Sequence, residues 1–166
     1  MIYDEGTKIF RSELIPILHG FTTREWGNLG YGKNPGDPEV TANRLWLFDT
    51  LKVRDRKHIQ PKQIHSAIVI DANAFTAGQE GDASYSNSSD HLLSVLTADC
   101  IPILFYHGDG FVAVTHAGWR GLLNGIIPAT LNVIPKNPVA VLGPAIGTCC
   151  YEVSEELAKD FADRFG

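Results

Sequence analysis

Apolar residues in this chain come in short runs separated by polar, glycine-rich stretches, a pattern of many brief strands and few helices. The clearest case is T-A-D-C-I-P-I-L-F-Y-H-G-D-G-F-V-A-V-T-H-A-G-W-R-G at 97–121. Its apolar runs, 101–106 and 111–115, flank His107-Gly108-Asp109-Gly110, which predicts a β-hairpin. Loose alternation over 8–18 predicts an edge strand, 67–71 a short buried strand, 92–96 another, and 139–142 a further buried one. Helical spacing occurs three times. Asp37-Pro38-Glu39 supplies a cap, a proline for the first helical position and an acid in the first turn, and an apolar stripe follows to about Lys52. The stretch 122–134 has helical character but contains Pro128, so a kink or a restart is expected there. Ser154 caps a last helix carrying Leu157, Phe161 and Phe165 on one face.

The stretches between these elements carry fewer constraints. Residues 19–36 form a glycine-rich loop, read either as irregular surface or as a binding loop with Arg24 aimed at an anion. Asn43 and Arg44 fall off the helical stripe, as a solvated face would. Residues 76–91 are rich in Gly, Ser, Asn and Asp and read as a long loop.

Composition narrows the function classes. A chain of 166 residues with 44% hydrophobic content suits one domain spanning 1–166. Its net charge of −5 and scattered basic residues argue against a nucleic-acid partner. No apolar run reaches membrane-spanning length, and the acidic N-terminus has no apolar signal segment. Three cysteines, two of them adjacent, do not make a disulfide framework, so a reducing cytoplasm is expected. Oligomeric state leaves no mark on the sequence.

Candidate chemistry gathers around the hairpin. Cys100 lies just before its first strand and His116 just after the second. A turn centred on Gly108-Asp109 sets the two almost opposite, about 5 Å apart at Cβ. A thiolate beside an imidazole suits a soft metal site, which a third ligand would turn into an open catalytic one. The same pair suits a cysteine nucleophile with His116 as base. His65 stands before the 67–71 strand, either as a site residue or as a structural histidine. Strand, glycine-rich turn and helix at 116–122 are read either as the arrangement that aims N–H groups at an anion, with Arg120 adding a planar charged fork, or as a turn that Trp119 and Arg120 simply pack. Gly143-Pro144-Ala145-Ile146-Gly147 is a second tight loop of that kind. Cys149 and Cys150 follow in what reads as an extended segment, pointing to opposite faces, with neither expected as a ligand. Nucleophile-elbow, P-loop, dinucleotide and zinc-deaminase signatures are absent.

Five motifs occur in order: Q-I-H-S at 63–66, G-D-A-S-Y-S-N at 81–87, T-A-D-C-I-P-I-L-F at 97–105, H-A-G-W-R-G at 116–121 and L-G-P-A-I-G-T-C-C-Y-E-V at 142–153. Together they closely resemble the laccase-domain family, also described as polyphenol oxidase, multicopper-oxidase-like and purine nucleoside phosphorylase. The match runs from about Leu18 to the C-terminus. The resemblance implies zinc held by His65, Cys100 and His116. It implies a cytoplasmic enzyme that phosphorolyses adenosine, inosine and methylthioadenosine and deaminates adenosine, with purine nucleoside and phosphate as its ligands. Asp99 is then either the candidate proton carrier nearest the metal in sequence or a structural turn residue, while Arg120, Arg24 and the turn at Gly118 are candidates to hold phosphate. The implied fold is α+β, with mixed β-sheets packed face to face and helices outside (α/β/β/α layers). Family members usually continue with further strands and a serine- and arginine-rich motif, which this chain lacks. A polyphenol oxidase with copper is the second reading, since a single soft site takes up copper readily. Six histidines without an H-x-H pair are too few for a multicopper centre. A Cys–His hydrolase and a truncated copy without a complete pocket are the remaining readings.

Overall fold

The structure, a computed structural model, describes every residue except Lys33, which lies inside the 19–36 loop. Contacts divide the chain into two compact units, Met1–His58 with Ser89–Leu92, and Ile59–Ser88 with Leu93–Gly166.

In the first unit the expected edge strand is shorter and differently placed. Strand β1 (Ile2–Asp4), β2 (Ile9–Arg11) and β3 (Phe21–Thr22) form an antiparallel sheet in which β2 is central. The Asp4 carboxylate accepts from the N–H groups of Gly6 and Thr7 and so folds the β1–β2 turn. A 3₁₀ turn at Arg24–Trp26, capped by Thr23, buries Trp26, whose indole N–H donates to the Lys8 carbonyl. Helix α1 (Pro38–Thr50) starts where the capping signal placed it, with Asp37 accepting from Glu39 and Val40. Val40 and Leu47 are its buried residues. Asn43 and Arg44 are not a solvated face. Their side chains donate to the carbonyls of Asn28 and Leu29, and the Arg44 guanidinium lies over the Tyr31 ring. Both residues tie the glycine-rich loop to the helix, because unpaired loop carbonyls need donors. Strand β4 (Lys57–Ile59) pairs with β7 (His91–Leu93) in a two-stranded sheet.

The second unit is organised by a five-stranded mixed sheet. Its members are β5 (Val69–Asp71), β6 (Ala83–Ser86), β8 (Ile101–His107), β9 (Phe111–Ala117) and β10 (Val139–Leu142), in the order β10-β8-β9-β6-β5. Only the β5–β6 pair is parallel. The expected hairpin is β8–β9. Strand β6 lies within the stretch read as a loop, because its buried positions are small and polar and carry no hydrophobic signal: Ala83, Ser84 and Ser86 are buried. Strand β10 is at the sheet edge, so Val141 is buried but Leu142 is exposed, unlike the fully buried strand expected.

Helix α2 (Trp119–Asn124) stops at Gly125, and α3 (Ile126–Leu131) restarts with Pro128 in its first turn. The restart avoids the lost hydrogen bond and the clash of a mid-helix proline. Ala83, Ile103, Phe105, Ala113, Ala117, Ile126 and Ile134 form the core, with Leu122 and Ile127 packed against it. A buried hydroxyl pair, Thr115 and Thr130 at 3.0 Å, stitches β9 to α3. Helix α4 (Glu155–Phe165) is capped by Ser154 and has no buried residue. The fold is α+β. No helix among the described residues is long and apolar enough to cross a membrane.

Candidate metal centre

The centre is built around Asp82, the residue before β6. Antiparallel β6 and β9 pair Ala83 with Thr115, so Asp82 faces His116 one step further on, and the His116 N–H donates to the Asp82 carbonyl at 2.7 Å. The Asp82 side chain is fully buried. Its Oδ1 accepts from His116 Nδ1 at 2.8 Å and from the His65 N–H at 3.0 Å. Its Oδ2 accepts from the N–H groups of Ile64 and Ser66 and from the Ser66 hydroxyl, at 3.2, 2.6 and 2.7 Å. Burial pushes this carboxyl's pKa up, but the bonds from His116, Ser66 and Ile64 outweigh it and leave the value below the ordinary one. Asp82 therefore sits ionised, accepts only, and makes Nδ1 the protonated nitrogen of His116. Nε2 is left with a free lone pair.

Three ligand atoms meet here. His65, Cys100 and His116 each offer one, all within 4.8 Å of one another. His65 sits in the loop before β5 with φ +59, a left-handed conformation held by its N–H bond to Asp82. Its ring meets that of His116 edge-on at 4.8 Å, and its Nε2 is 3.9 Å from Cys100 Sγ. The Gln63 amide ties this loop to the segment before Cys100, donating to the Leu96 carbonyl and accepting from the Leu96 N–H, both at 2.7 Å.

The hairpin register differs from the expected one. The turn is a three-residue loop closed by the His107–Phe111 pair, with Gly110 at φ +80, so Pro102 pairs with His116. Cys100 therefore lies opposite Gly118, with His116 as its diagonal neighbour. This register makes Gly118 part of the centre: a Cβ there would stand 2.6 Å from His65 Cδ2 and 3.1 Å from Cys100 Sγ. Only a glycine lets the backbone approach so closely.

Two imidazoles and a thiol at this spacing are able to hold a metal ion of the zinc or copper type. Liganding atoms about 2.0–2.3 Å from one ion stand somewhat closer together than they do here, so the three side chains would have to draw together to hold one. The carboxylate–histidine pair is the outer partner such sites use. Burial, then the negative charges of Asp99 and Asp82, hold the Cys100 thiol above its usual range. That is the reverse of what an unassisted thiolate nucleophile needs, whereas a bound cation deprotonates a thiol directly.

The other candidates are placed less centrally. Asp99 is exposed, and its carbonyl accepts from the Ile146 N–H. Arg120 is exposed with its guanidinium 3.9 Å above the Trp119 ring. Arg24 is exposed in the first unit, opening the 3₁₀ turn. The loop 143–147 is a poorer anion cradle than expected, because its Gly143 and Ile146 N–H groups donate to the carbonyls of Pro102 and Asp99. Cys149 and Cys150 lie in a turn rather than an extended segment, both exposed, with their sulfurs together.

Comparison with known proteins adds a family. The model of the family described as multi-copper polyphenol oxidoreductase laccase matches residues 18–166. Purine nucleoside phosphorylase YfiH of Escherichia coli is 38% identical over 141 residues, covering 81% of this chain and 57% of the relative. Purine nucleoside phosphorylase of Haemophilus influenzae is 35% identical over 158 residues, covering 87% and 64%. The crystal structure of Neisseria meningitidis protein NMB0706 superposes with a TM-score of 0.74 at 31% identity, over 83% of this chain and 58% of that one. The chain thus spans little more than half the length of these relatives.

Proposed function

This chain belongs to the multi-copper polyphenol oxidoreductase laccase family, and on that premise we propose that it serves phosphorolysis of purine nucleosides. Adenosine, inosine and methylthioadenosine are the substrates, with deamination of adenosine as a side activity and the cytoplasm as its place. The observation that carries the reading is the convergence of His65, Cys100 and His116 around the Asp82 carboxylate, in a chain whose relatives bear the name purine nucleoside phosphorylase.

His65, Cys100 and His116 hold zinc in this reading. An ion held by these three residues would supply Lewis-acid polarisation of water or substrate. Asp82 orients His116 and fixes its tautomer; Gly118 keeps the space beside Cys100 clear. In phosphorolysis an oxygen of phosphate bonds to C1′ of the ribose while the bond from C1′ to the purine nitrogen breaks. The released base takes up the proton that the attacking hydrogen phosphate gives up. Arg120, swung off Trp119, binds the phosphate as a two-pronged donor beside the backbone that begins at Gly118. Asp99, exposed next to Cys100, is the group that moves a proton in deamination.

Polyphenol oxidation ranks below this reading. The chain's six histidines, without an H-x-H pair, do not suffice for a multinuclear copper centre. The deciding assay incubates zinc-loaded protein with inosine, with and without phosphate, and separates the products. Phosphate-dependent hypoxanthine that disappears in Cys100→Ala supports phosphorolysis. Phenol oxidation at a comparable rate, with tightly held copper, overturns it.

A further inference from the structure

Cys149 and Cys150 take no part in the centre described above. Their Sγ atoms stand 3.0 Å apart, both residues are exposed, and each sulfur's partner is the other. A turn holds them so: the N–H groups of Cys150 and Tyr151 both donate to the Gly147 carbonyl, at 3.0 and 3.1 Å. Adjacent residues in an extended strand would point their sulfurs to opposite faces. Here the turn brings both to one side and presents them to solvent.

Closing this pair into a disulfide is unfavourable. Consecutive Cα atoms are about 3.8 Å apart across a trans peptide. Disulfides prefer Cα separations of about 4.4–6.8 Å. A bridge between neighbours is therefore strained and readily reduced, and the resting form is a dithiol.

Geometry then selects the ligand. A linear two-coordinate ion such as copper(I) or mercury(II) holds its two sulfurs as far apart as the bonds allow, which adjacent residues resist. A pyramidal centre with a bond angle near a right angle draws them close together, as the turn already does. We infer that Cys149 and Cys150 form a second soft site, separate from His65–Cys100–His116, which chelates one trivalent arsenical of the class R–As=O. The arsenic forms two As–S bonds; the two thiol protons leave with the arsenical oxygen as one water. No electron is transferred, so no oxidant is required. Binding through two thiols on one short segment gains about 10²–10⁴-fold over binding through one.

The test uses the full chain and phenylarsine oxide. Native mass spectrometry is expected to show one adduct per chain, with the mass of the arsenical less one water, reversed by a small 1,2-dithiol. Cys149→Ala and Cys150→Ala should each weaken capture by at least about 100-fold. Cys100→Ala should leave it unchanged. Because both residues are exposed, circular dichroism of the two variants should match the parent. No adduct on the parent chain overturns the inference. So does capture that persists in either single variant or that is lost with Cys100. Zinc content measured in the same samples reads the other centre, so the two sites fail or stand separately.

Discussion

His116 Nδ1 donates to Asp82 Oδ1 at 2.8 Å, and the same carboxylate accepts the His65 N–H at 3.0 Å. Two of the three candidate ligand residues thus hang from one buried acid, one by its ring and the other by its backbone. The placement of these two residues therefore depends on Asp82, which offers no atom to the candidate metal group itself.

Asp82→Asn is expected to weaken metal binding by about 10–100-fold, the usual effect of losing an outer-shell partner. An amide has one acceptor oxygen. Whichever way it is turned, its NH₂ faces either the His116 Nδ1–H or the donors of Ile64 and Ser66. A donor facing a donor costs about 1–3 kcal/mol when buried. Competition against a chelator of known affinity measures the first effect, and long-range ¹H–¹⁵N spectra report the His116 tautomer. An affinity within twofold of the parent, with Nδ1 still protonated, would sink the assignment.

Gly118→Ala tests the close approach of backbone to ligands. The new methyl would lie 2.6 Å from the His65 ring and 3.1 Å from the Cys100 sulfur, so one of them must move. Overpacking of this kind costs about 1–3 kcal/mol. Zinc stoichiometry should fall well below one per chain in dialysed protein, while far-UV circular dichroism stays that of a folded chain. Full zinc retention would show that the ligands do not need this glycine.

How much of this was legible in the sequence depended on the kind of signal each part leaves. Helix α1 announced itself through Asp37 and Pro38, because capping is a local interaction between near neighbours. The hairpin was legible for the same reason, but its register was not. One residue of turn length decides whether Cys100 faces Ala117 or Gly118, and only Gly110 at φ +80 settles it. Asp82 and β6 left no hydrophobic trace, since a buried acid satisfied by five donors looks like a loop residue when its partners lie elsewhere in the chain. The His65 position came from a motif and not from periodicity. Asn43 and Arg44 were misplaced because their acceptors, the carbonyls of Asn28 and Leu29, belong to a loop with no pattern.

Thr130→Val is expected to destabilise the second unit by about 1–3 kcal/mol. The change is nearly isosteric but leaves the fully buried Thr115 hydroxyl without its 3.0 Å partner. The double variant Thr115→Val/Thr130→Val removes both polar groups and should recover much of the loss. Urea titrations of the two singles and the double form a double-mutant cycle. Strict additivity would mean the hydroxyl pair is energetically silent.

The pH dependence of stability should carry the mark of His58. Burial, and secondly the Arg44 charge, lower its pKa to about 4 from an ordinary 6.5. Its ring packs edge-on against Phe48 at 5.1 Å, where a neutral imidazole fits. A histidine with a depressed folded pKa stays neutral in the folded chain while the unfolded chain takes up a proton below 6.5. Between 6.5 and about 4 the unfolded state binds more protons, so stability falls as pH falls; above that window the histidine has no effect, and below it the loss levels off. At about 1.4 kcal/mol per pKa unit the total is at most about 3.5 kcal/mol. Carboxylates titrate mainly below the interval from about pH 6.5 to 5, and the chain's other histidines are common to parent and variant, so the difference between the two proteins across it reads His58. Urea midpoints of the parent chain should drop more steeply across that interval than those of His58→Gln. Parallel curves for the two proteins would show that His58 protonates equally well folded and unfolded.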